Sequence, residues 1–218
     1  MAEYPICLSL IENDPEALTL AVPLADWLEL RLDLIGDNWP ELASKVEKPW
    51  IACDRRPEEG GKGESDPLAR QETLRRALEA GADIIDVELK TPHVKDFVSS
   101  LRGRAPCLIS HHDFSGTPSF SSLCDIVEHE ISAGAHICKV VTLARNLEDN
   151  LTLLKLVRRY AEQKIIAFGM GEAGQLSRVL SPLAGAYLTY ASAKPGKEAA
   201  SGQMTIRELR QIYENLDR

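Results

Sequence analysis

Three stretches of the sequence, GADIID at residues 81–86, GAHICK at 134–139 and GAYLTY at 185–190, share a Gly-Ala start and then become apolar. A glycine followed by such a run is typical of the junction between a helix and a strand. Five residues after each glycine stands a polar side chain: Asp86, Lys139 or Tyr190. With equal strand registers these three side chains occupy one level and face the same way, which favours a closed barrel.

Apolar runs of strand length alternate with helical patterns along the whole chain. The predicted strands are Tyr4–Leu10, Trp27–Asp33, Trp50–Asp54, Ile84–Leu89, Cys107–His112, Ile137–Val141, Lys164–Gly169 and Ala186–Tyr190. Helical segments are predicted near 14–22, 39–46, 66–80, 93–101, 119–133, 147–162, 172–180 and 205–216. This α/β order predicts a (β/α)₈ TIM barrel that forms a single domain over residues 1–218. A doubly wound open sheet is the alternative, because it accepts the same alternation.

Composition limits the partners of the chain. The net charge of −8 argues against binding to nucleic acid or to an anionic membrane surface. A small anionic substrate stays possible if a few arginines share one pocket. No segment reaches the roughly 18 uncharged residues of a membrane span, and the five cysteines show no C-x-x-C spacing. We therefore expect a cytoplasmic protein in a reducing compartment.

Lys139 and His112 stand near the ends of neighbouring predicted strands, where a barrel enzyme builds its active site. Burial among Ile, Cys and Val should lower the pKa of Lys139 and free its amine as a nucleophile. The alternative is a structural ion pair with Asp86 or Glu88. His111 and His112 must point to opposite sides of their strand, and we expect His112 to face the lysine.

Other polar residues are predicted at the same end of the barrel. They are Ser9, Glu29, Arg31, Arg55, Asp86, Glu88 and Arg178. Glu29, Arg31 and Asp33 alternate with leucines and should share one face of their strand. The sequence GMGEAG at 169–174 spells a dinucleotide fingerprint, but no second βαβ half follows it and no acidic residue closes a later strand about twenty residues on. We interpret it as a tight turn that presents Arg178 to the pocket.

These residues, in this order, resemble the type I 3-dehydroquinate dehydratases, the Schiff-base lyases of the shikimate pathway. The matching pieces are ELRLD at 29–33, Arg55 with EGG at 59–61, DVEL at 86–89, SHHDFSGT at 110–117, Lys139, Ser177 with Arg178, and Gly202 with Gln203. The resemblance implies a barrel fold, a homodimer and a reaction that needs neither metal nor organic cofactor.

It also implies roles for individual residues. Lys139 would attack the C3 ketone of 3-dehydroquinate, and His112 would remove the C2 proton and then protonate the departing hydroxyl. Glu59 would orient His112, with Asp86 as a weaker candidate. Arg178 would clamp the substrate carboxylate.

The remaining implied contacts concern the ring hydroxyls and a lid. Ser9, Glu29, Arg31 and Arg55 would hold hydroxyl groups or balance charge, and Gln203 would close a loop over the substrate. The sequence departs from the family pattern at Ala199, where a serine is common. Ser201 is then a candidate replacement for that hydroxyl.

Relatives also often carry an N-terminal hairpin that plugs the base of the barrel, whereas this chain begins its first strand almost at once. We therefore predict a more open base.

Two rival functions share the fold. One is a class I Schiff-base aldolase, which would need a phosphate site after strands seven and eight, and the other is a barrel that only binds a ligand. A metal-dependent enzyme is disfavoured because the histidines show no shared ligand face.

Overall fold

Eight parallel strands form one sheet in the computed structural model, which describes residues 4–216. The strands are β1 (Ile6–Leu10), β2 (Trp27–Arg31), β3 (Trp50–Cys53), β4 (Ile84–Glu88), β5 (Cys107–Asp113), β6 (Ile137–Leu143), β7 (Ile165–Met170) and β8 (Thr189–Ala191). Consecutive strands from β1 to β7 pair with one another, and β8 pairs with β1. The predicted (β/α)₈ barrel is confirmed.

The barrel closes at a seam between β7 and β8. Within residues 4–216 no ladder joins these two strands. Instead the backbone N–H of Tyr187 donates to the carbonyl of Ile165 at 2.7 Å. The sheet is therefore nearly closed, and its seam lies beside the loop that follows β8.

Helices surround the sheet. They are α1 (Pro15–Leu20), α2 (Leu32–Ile35), α3 (Trp39–Ala43), α4 (Pro67–Glu79), α5 (Val94–Ser100), α6 (Phe120–Ser132), α7 (Leu147–Arg159), α8 (Gln175–Leu183) and α9 (Ile206–Leu216). Side-chain caps fix several of their starts: Asp14, Asp66, Ser119 and Asn146 each accept a hydrogen bond from a backbone N–H in the first turn. In the described part of the chain, no helix is long and apolar enough to cross a membrane.

Several predicted boundaries shift. The second strand ends at Arg31 rather than Asp33, because the chain turns into the short helix α2. Asp33 therefore does not share a strand face with Glu29 and Arg31. Strands β5 and β6 run on to Asp113 and Leu143, beyond their predicted ends, and β8 is shorter than predicted.

The strands bury both faces, as a parallel sheet under helices requires. An interior cluster fills the barrel; it contains Cys7, Ile51, Ile84, Leu108, Ile137, Ile166, Leu188 and Tyr190. Two further clusters lie between the sheet and the helices. At the base, a depression is lined by the starts of strands, among them Trp27, Ile84 and Ile137. The open base stays a prediction.

Candidate active site

Lys139 lies in the middle of β6, and its side chain enters the barrel, where only 4% of the residue is exposed. Its Nζ donates to Glu29 Oε1 at 3.1 Å and to Asp86 Oδ2 at 3.2 Å. The same nitrogen lies 4.1 Å from the ring centroid of Tyr190. The side chains of Asp86, Lys139 and Tyr190 therefore meet, as the shared Gly-Ala junctions predict.

The expected low pKa of Lys139 is wrong. Burial favours the neutral amine, but the carboxylates of Glu29 and Asp86 outweigh it, so the pKa of Lys139 lies above its ordinary value. The two carboxylates come from β2 and β4, and Glu29 was not expected to contact the lysine. In the ligand-free site Lys139 is an ammonium with two proton acceptors in contact.

His112 lies on β5 beside Lys139's strand and lines the same cavity. Its Nδ1 is 2.9 Å from Glu59 Oε2, which also accepts the backbone N–H of His112 at 3.0 Å. Burial, together with the charges of Arg55 and Lys139, lowers the pKa of His112 well below its ordinary value. The imidazole is therefore neutral, and with Nδ1–H directed to an ionised Glu59 its Nε2 is free to accept a proton.

Glu59 reaches His112 because glycines let its loop fold back on β3. Gly60 has a φ of 81°, and a Cβ on Gly61 would lie 1.9 Å from the carbonyl oxygen of Arg55. Burial raises the pKa of Glu59 to about 7, against the opposing effect of Arg55. Asp86, the weaker candidate for orienting His112, contacts Arg55, Ser110 and Lys139 instead.

Arg55 crosses the site from the end of β3. It donates to Asp86 Oδ2 at 2.7 Å and to Ser110 Oγ at 2.6 Å, and lies 3.3 Å from Glu88. Burial alone would raise the pKa of Asp86, but Arg55 and Lys139 together lower it. Glu88 also pairs with the buried Arg70, so the alternative pair between Lys139 and Glu88 does not form. Arg55 thus keeps Asp86 ionised beside the lysine.

Ser9, Glu29 and Gln203 form a chain of hydrogen bonds on the opposite wall. The Ser9 hydroxyl donates to Glu29 Oε2 at 3.0 Å, and Gln203 Nε2 donates to Ser9 Oγ at 3.3 Å. Gln203 also accepts the backbone N–H of Ala199 at 2.8 Å. The loop after β8 is thereby linked to the carboxylate that contacts Lys139.

This loop, residues 192–204, covers the cavity. Arg31, held by Asp33 at 2.7 Å, donates to the carbonyl of Ala199 at 3.4 Å. A Cβ on Gly202 would lie 2.1 Å from the carbonyl oxygen of Gly171, so glycine allows the loop to pack on the turn after β7. Ser201 is exposed and does not line the cavity; its carbonyl accepts the N–H of Gly171. The substrate contact predicted for Ser201 stays a prediction.

Arg178 enters the cavity from α8 with 1% of the residue exposed. Its Nε and Nη2 have no hydrogen-bond partner within residues 4–216, and its guanidinium lies 4.5 Å from the Phe168 ring centroid. Burial lowers the pKa of Arg178 to about 10, which leaves it charged near neutral pH. An uncompensated buried cation of this kind is suited to an anionic ligand.

The glycines of GMGEAG build the turn that places Arg178. A Cβ on Gly174 would lie 2.4 Å from the backbone of Gly169, so the turn folds tightly on the end of β7. Ser177 fastens it by accepting the N–H of Gly169 and donating to the carbonyl of Gly174. The interpretation as a tight turn is confirmed.

One group of side chains has the composition of a metal site. Oxygens of Glu29 and Asp86 and the Cys53 sulfur lie within 4.8 Å of one another. The Lys139 ammonium contacts both carboxylates, and burial raises the pKa of the Cys53 thiol well above its ordinary value. A cation is thus already supplied by the chain, and the sulfur is a protonated thiol rather than a thiolate ligand.

The contact between Tyr190 and Lys139 was predicted by the equal position of both residues after Gly-Ala, but one feature of the site was not predicted. The role of Ser110 as a bridge between Arg55 and Asp86 had no signal, because a serine in a strand is ordinary. Phe168 and Met170 line the cavity, where apolar contacts were expected from the resemblance or from core packing.

Curated relatives resemble the chain over nearly its whole length. A 3-dehydroquinate dehydratase of Dehalococcoides mccartyi is 42% identical over 214 residues, which are 98% of this chain and 96% of that protein. One from Methanocaldococcus jannaschii is 36% identical over 220 residues, with 97% and 99% covered.

Solved structures agree. The chain matches type I 3-dehydroquinate dehydratase of Clostridium difficile with a TM-score of 0.86 at 25% identity, over 98% of this chain and 92% of that one. The enzyme of Aquifex aeolicus gives 0.82 at 26% identity, over 98% and 99%. Residues 6–218 match the family model described as type I 3-dehydroquinase. The chain therefore belongs to the type I 3-dehydroquinase family.

Proposed function

We propose that this protein dehydrates 3-dehydroquinate to 3-dehydroshikimate through a Schiff base on Lys139. The observation that carries the proposal is the meeting of Lys139 and the neutral His112, from adjacent strands, in one cavity with the unpaired Arg178. Membership of the family and the named dehydratase relatives support this substrate over a sugar phosphate.

Arg178 binds the substrate carboxylate. Its buried Nε and Nη2 have no partner in the described chain, and two parallel N–H groups match the two oxygens of a carboxylate. Because the guanidinium is fixed on the ring of Phe168, the bound carboxylate also fixes the orientation of the substrate ring. This contact selects a small carboxylic acid.

Lys139 forms the imine. Its ammonium first passes one proton to Glu29 or Asp86, both within 3.2 Å, and the free amine attacks the C3 carbonyl. The carbinolamine then loses its hydroxyl as water, with protons supplied by these carboxyl groups. The resulting iminium carries a positive charge at Nζ, so the two carboxylates stabilise it as they stabilise the resting ammonium.

His112 completes the elimination. Its Nε2 takes the C2 proton that the iminium has made acidic, and the electron pair of the C–H bond forms an enamine. The enamine expels the C1 hydroxyl, which leaves as water with the proton that His112 now carries. Glu59 stabilises the imidazolium between these two steps from 2.9 Å. Hydrolysis of the remaining imine releases product and Lys139.

The loop at 192–204 excludes water during these steps. Gln203 joins it to Ser9, and Arg31 joins it to the wall of the cavity. Ser9, Glu29, Arg31, Arg55 and Gln203 line the cavity and can bind the ring hydroxyls. Loop closure then strengthens the charge interactions around Lys139.

We also infer that two copies associate. Leu147 and Leu151 lie one turn apart on α7 and are each 53% exposed, and Leu176 of α8 is 40% exposed. An apolar row of this kind suits a self-complementary interface. The expected result is a solution mass of two chains that Leu151→Glu reduces to one; an unchanged dimer in that variant would reject this face.

A cytoplasmic location accompanies these inferences. All five cysteines are free and four of them are buried. Unpaired buried thiols are typical of a reducing compartment. Fractionation of the native host cell tests this location, and recovery only outside the cytoplasm would reject it.

Turnover of 3-dehydroquinate tests the function. Addition of the purified chain should produce conjugated-enone absorbance, and Lys139→Ala should lower kcat by on the order of 10⁴-fold or more. Lys164→Ala, which removes a lysine at the barrel base, is the matched control and should leave kcat unchanged. Absence of enone formation by the wild type would reject the proposed reaction.

A further inference from the structure

Two aromatic rings lie against two of the buried cations of the site, and the rings touch each other. Lys139 Nζ lies 4.1 Å from the centroid of Tyr190, and the Arg178 guanidinium lies 4.5 Å from that of Phe168. The centroids of Phe168 and Tyr190 are 5.9 Å apart. The four side chains therefore form a continuous row across the cavity.

The ring of Tyr190 contacts a nitrogen that also donates to Glu29 and Asp86, at 3.1 and 3.2 Å. The face of an aromatic ring attracts a cation, and the attraction increases when both groups are removed from water. Lys139 and Tyr190 are 4% and 3% exposed, so both are removed from water here.

The hydroxyl of Tyr190 does not explain this placement. It is buried and has no hydrogen-bond partner within residues 4–216. A buried hydroxyl without a partner costs stability. Burial, with the nearby Glu29, raises the pKa of Tyr190 well above its ordinary value, so the phenol stays neutral. The contribution of Tyr190 to the site therefore comes from its ring.

We propose that Tyr190 is a positioning residue whose ring face stabilises the positive charge at Lys139 Nζ, in the resting ammonium and again in the substrate iminium. This rests on the proposed Schiff-base role of Lys139. The neutral amine between these two states carries no charge and gains nothing from the ring. Tyr190 thus stabilises both cations relative to the uncharged amine and imine, which keeps the imine protonated and raises the pKa of Lys139.

A shift of the pH profile at constant extent is expected when the ring is removed. In Tyr190→Leu, the equilibrium fraction of iminium at neutral pH, trapped by borohydride with 3-dehydroquinate, should stay unchanged, because ammonium and iminium lose the same stabilisation. The pH at which adduct formation begins should move lower by up to about one unit, because the ammonium loses its proton more easily. A purely structural disturbance of the pocket would lower both rate and extent without moving the pH profile.

Two variants keep the fold and isolate the ring face. Tyr190→Phe retains the ring, so its adduct should match the wild type, while its Tm should not fall because an unpartnered hydroxyl is lost. Replacement of Tyr190 by pentafluorophenylalanine keeps the ring shape but removes the electron-rich face, and should behave like Tyr190→Leu. Tyr187→Leu, at the base beside Lys164, is the matched control and should leave the adduct unchanged.

The results separate two failures. If the wild type itself gives no adduct on Lys139, the Schiff-base function fails. If the wild type gives an adduct and both Tyr190→Leu and the fluorinated ring reproduce its pH profile, the role of Tyr190 is overturned and the Schiff-base function stands.

Discussion

The cavity has a lysine side and an arginine side, and their surroundings differ. Lys139 contacts two carboxylates, whereas Arg178 contacts the Phe168 ring and no carboxylate in the described residues. A neutralised cation is stable without ligand and has proton acceptors in contact. An uncompensated cation gains its partner only from a ligand. The difference separates the two tasks of the site: chemistry on one side, binding on the other.

The largest effect is expected from the lysine side. His112→Ala should lower kcat by about 10²–10⁴-fold, because it removes the general base. Borohydride should still trap an adduct on Lys139, since imine formation depends on Glu29 and Asp86. His111→Ala changes the neighbouring histidine, which does not line the cavity, and serves as the control. Wild-type turnover in His112→Ala would contradict the division of tasks.

A substitution on the arginine side of the cavity should change mainly KM. Arg178→Met should raise KM by roughly 10- to 100-fold, because a charged hydrogen-bonding partner of the carboxylate is lost. The Tm of the ligand-free variant should be higher than that of the wild type, since an uncompensated buried charge is removed. Arg210→Met, which breaks a paired arginine on α9, should lower Tm and leave KM unchanged. If Arg178→Met had a lower Tm and an unchanged KM, the role of the arginine would be structural.

Glu59 couples the lysine side to pH. The pKa of Glu59 is about 7 in the folded protein against an ordinary 4.5, so the folded state holds its proton longer. Protonated Glu59 therefore stabilises the folded state. This contribution is fully present below pH 4.5, and on the order of 3 kcal/mol of unfolding free energy is lost as the pH rises to about 7. In Glu59→Gln, the free energy of unfolding, measured by urea denaturation, should depend less on pH between pH 4.5 and about 7.

The exposed neighbour Glu58 provides the control. Glu58→Gln should leave unchanged the slope of the free energy of unfolding against pH over the same range. Asp54, whose pKa burial also raises to about 7, should supply the slope that persists in both variants.

Activity should change in the opposite sense: kcat/KM of the wild type should fall below about pH 7, as Glu59 gains a proton and ceases to accept Nδ1–H of His112. A profile in Glu59→Gln with the same acid limb would reject this role.

The smallest effect concerns the loop that joins both sides. Gln203→Ala removes neutral hydrogen bonds to Ser9 and Ala199, so KM should rise by about 2- to 10-fold while Tm changes little. Gln211→Ala, on the exposed face of α9, is the control. An unchanged KM in Gln203→Ala would reject closure through this residue.

Local pattern predicted most of the fold. The apolar runs located all eight strands, and the Gly-Ala junctions placed Asp86, Lys139 and Tyr190 on one side of the sheet. The boundary at Arg31 was missed because Leu32 and Leu34 continue the alternation of a strand, while the turn into α2 depends on packing.

The site was predictable in identity but less so in electrostatics. Lys139 and Arg178 were both expected in the pocket, yet the charge state of Lys139 depends on Glu29, 110 residues away in sequence. The isolation of Arg178 was equally hidden, because the absence of a partner is a property of the assembled cavity. Ser201 illustrates the same limit: its backbone, not its side chain, contacts the turn after β7.

The central claim is that Lys139 forms the covalent intermediate. Borohydride reduction of the protein during turnover of 3-dehydroquinate, followed by peptide mapping, tests it directly. The expected result is inactivation together with one substrate-derived mass increase on the peptide that contains Lys139. A protein that turns over substrate but carries no adduct there, or carries it on another lysine, would contradict the account.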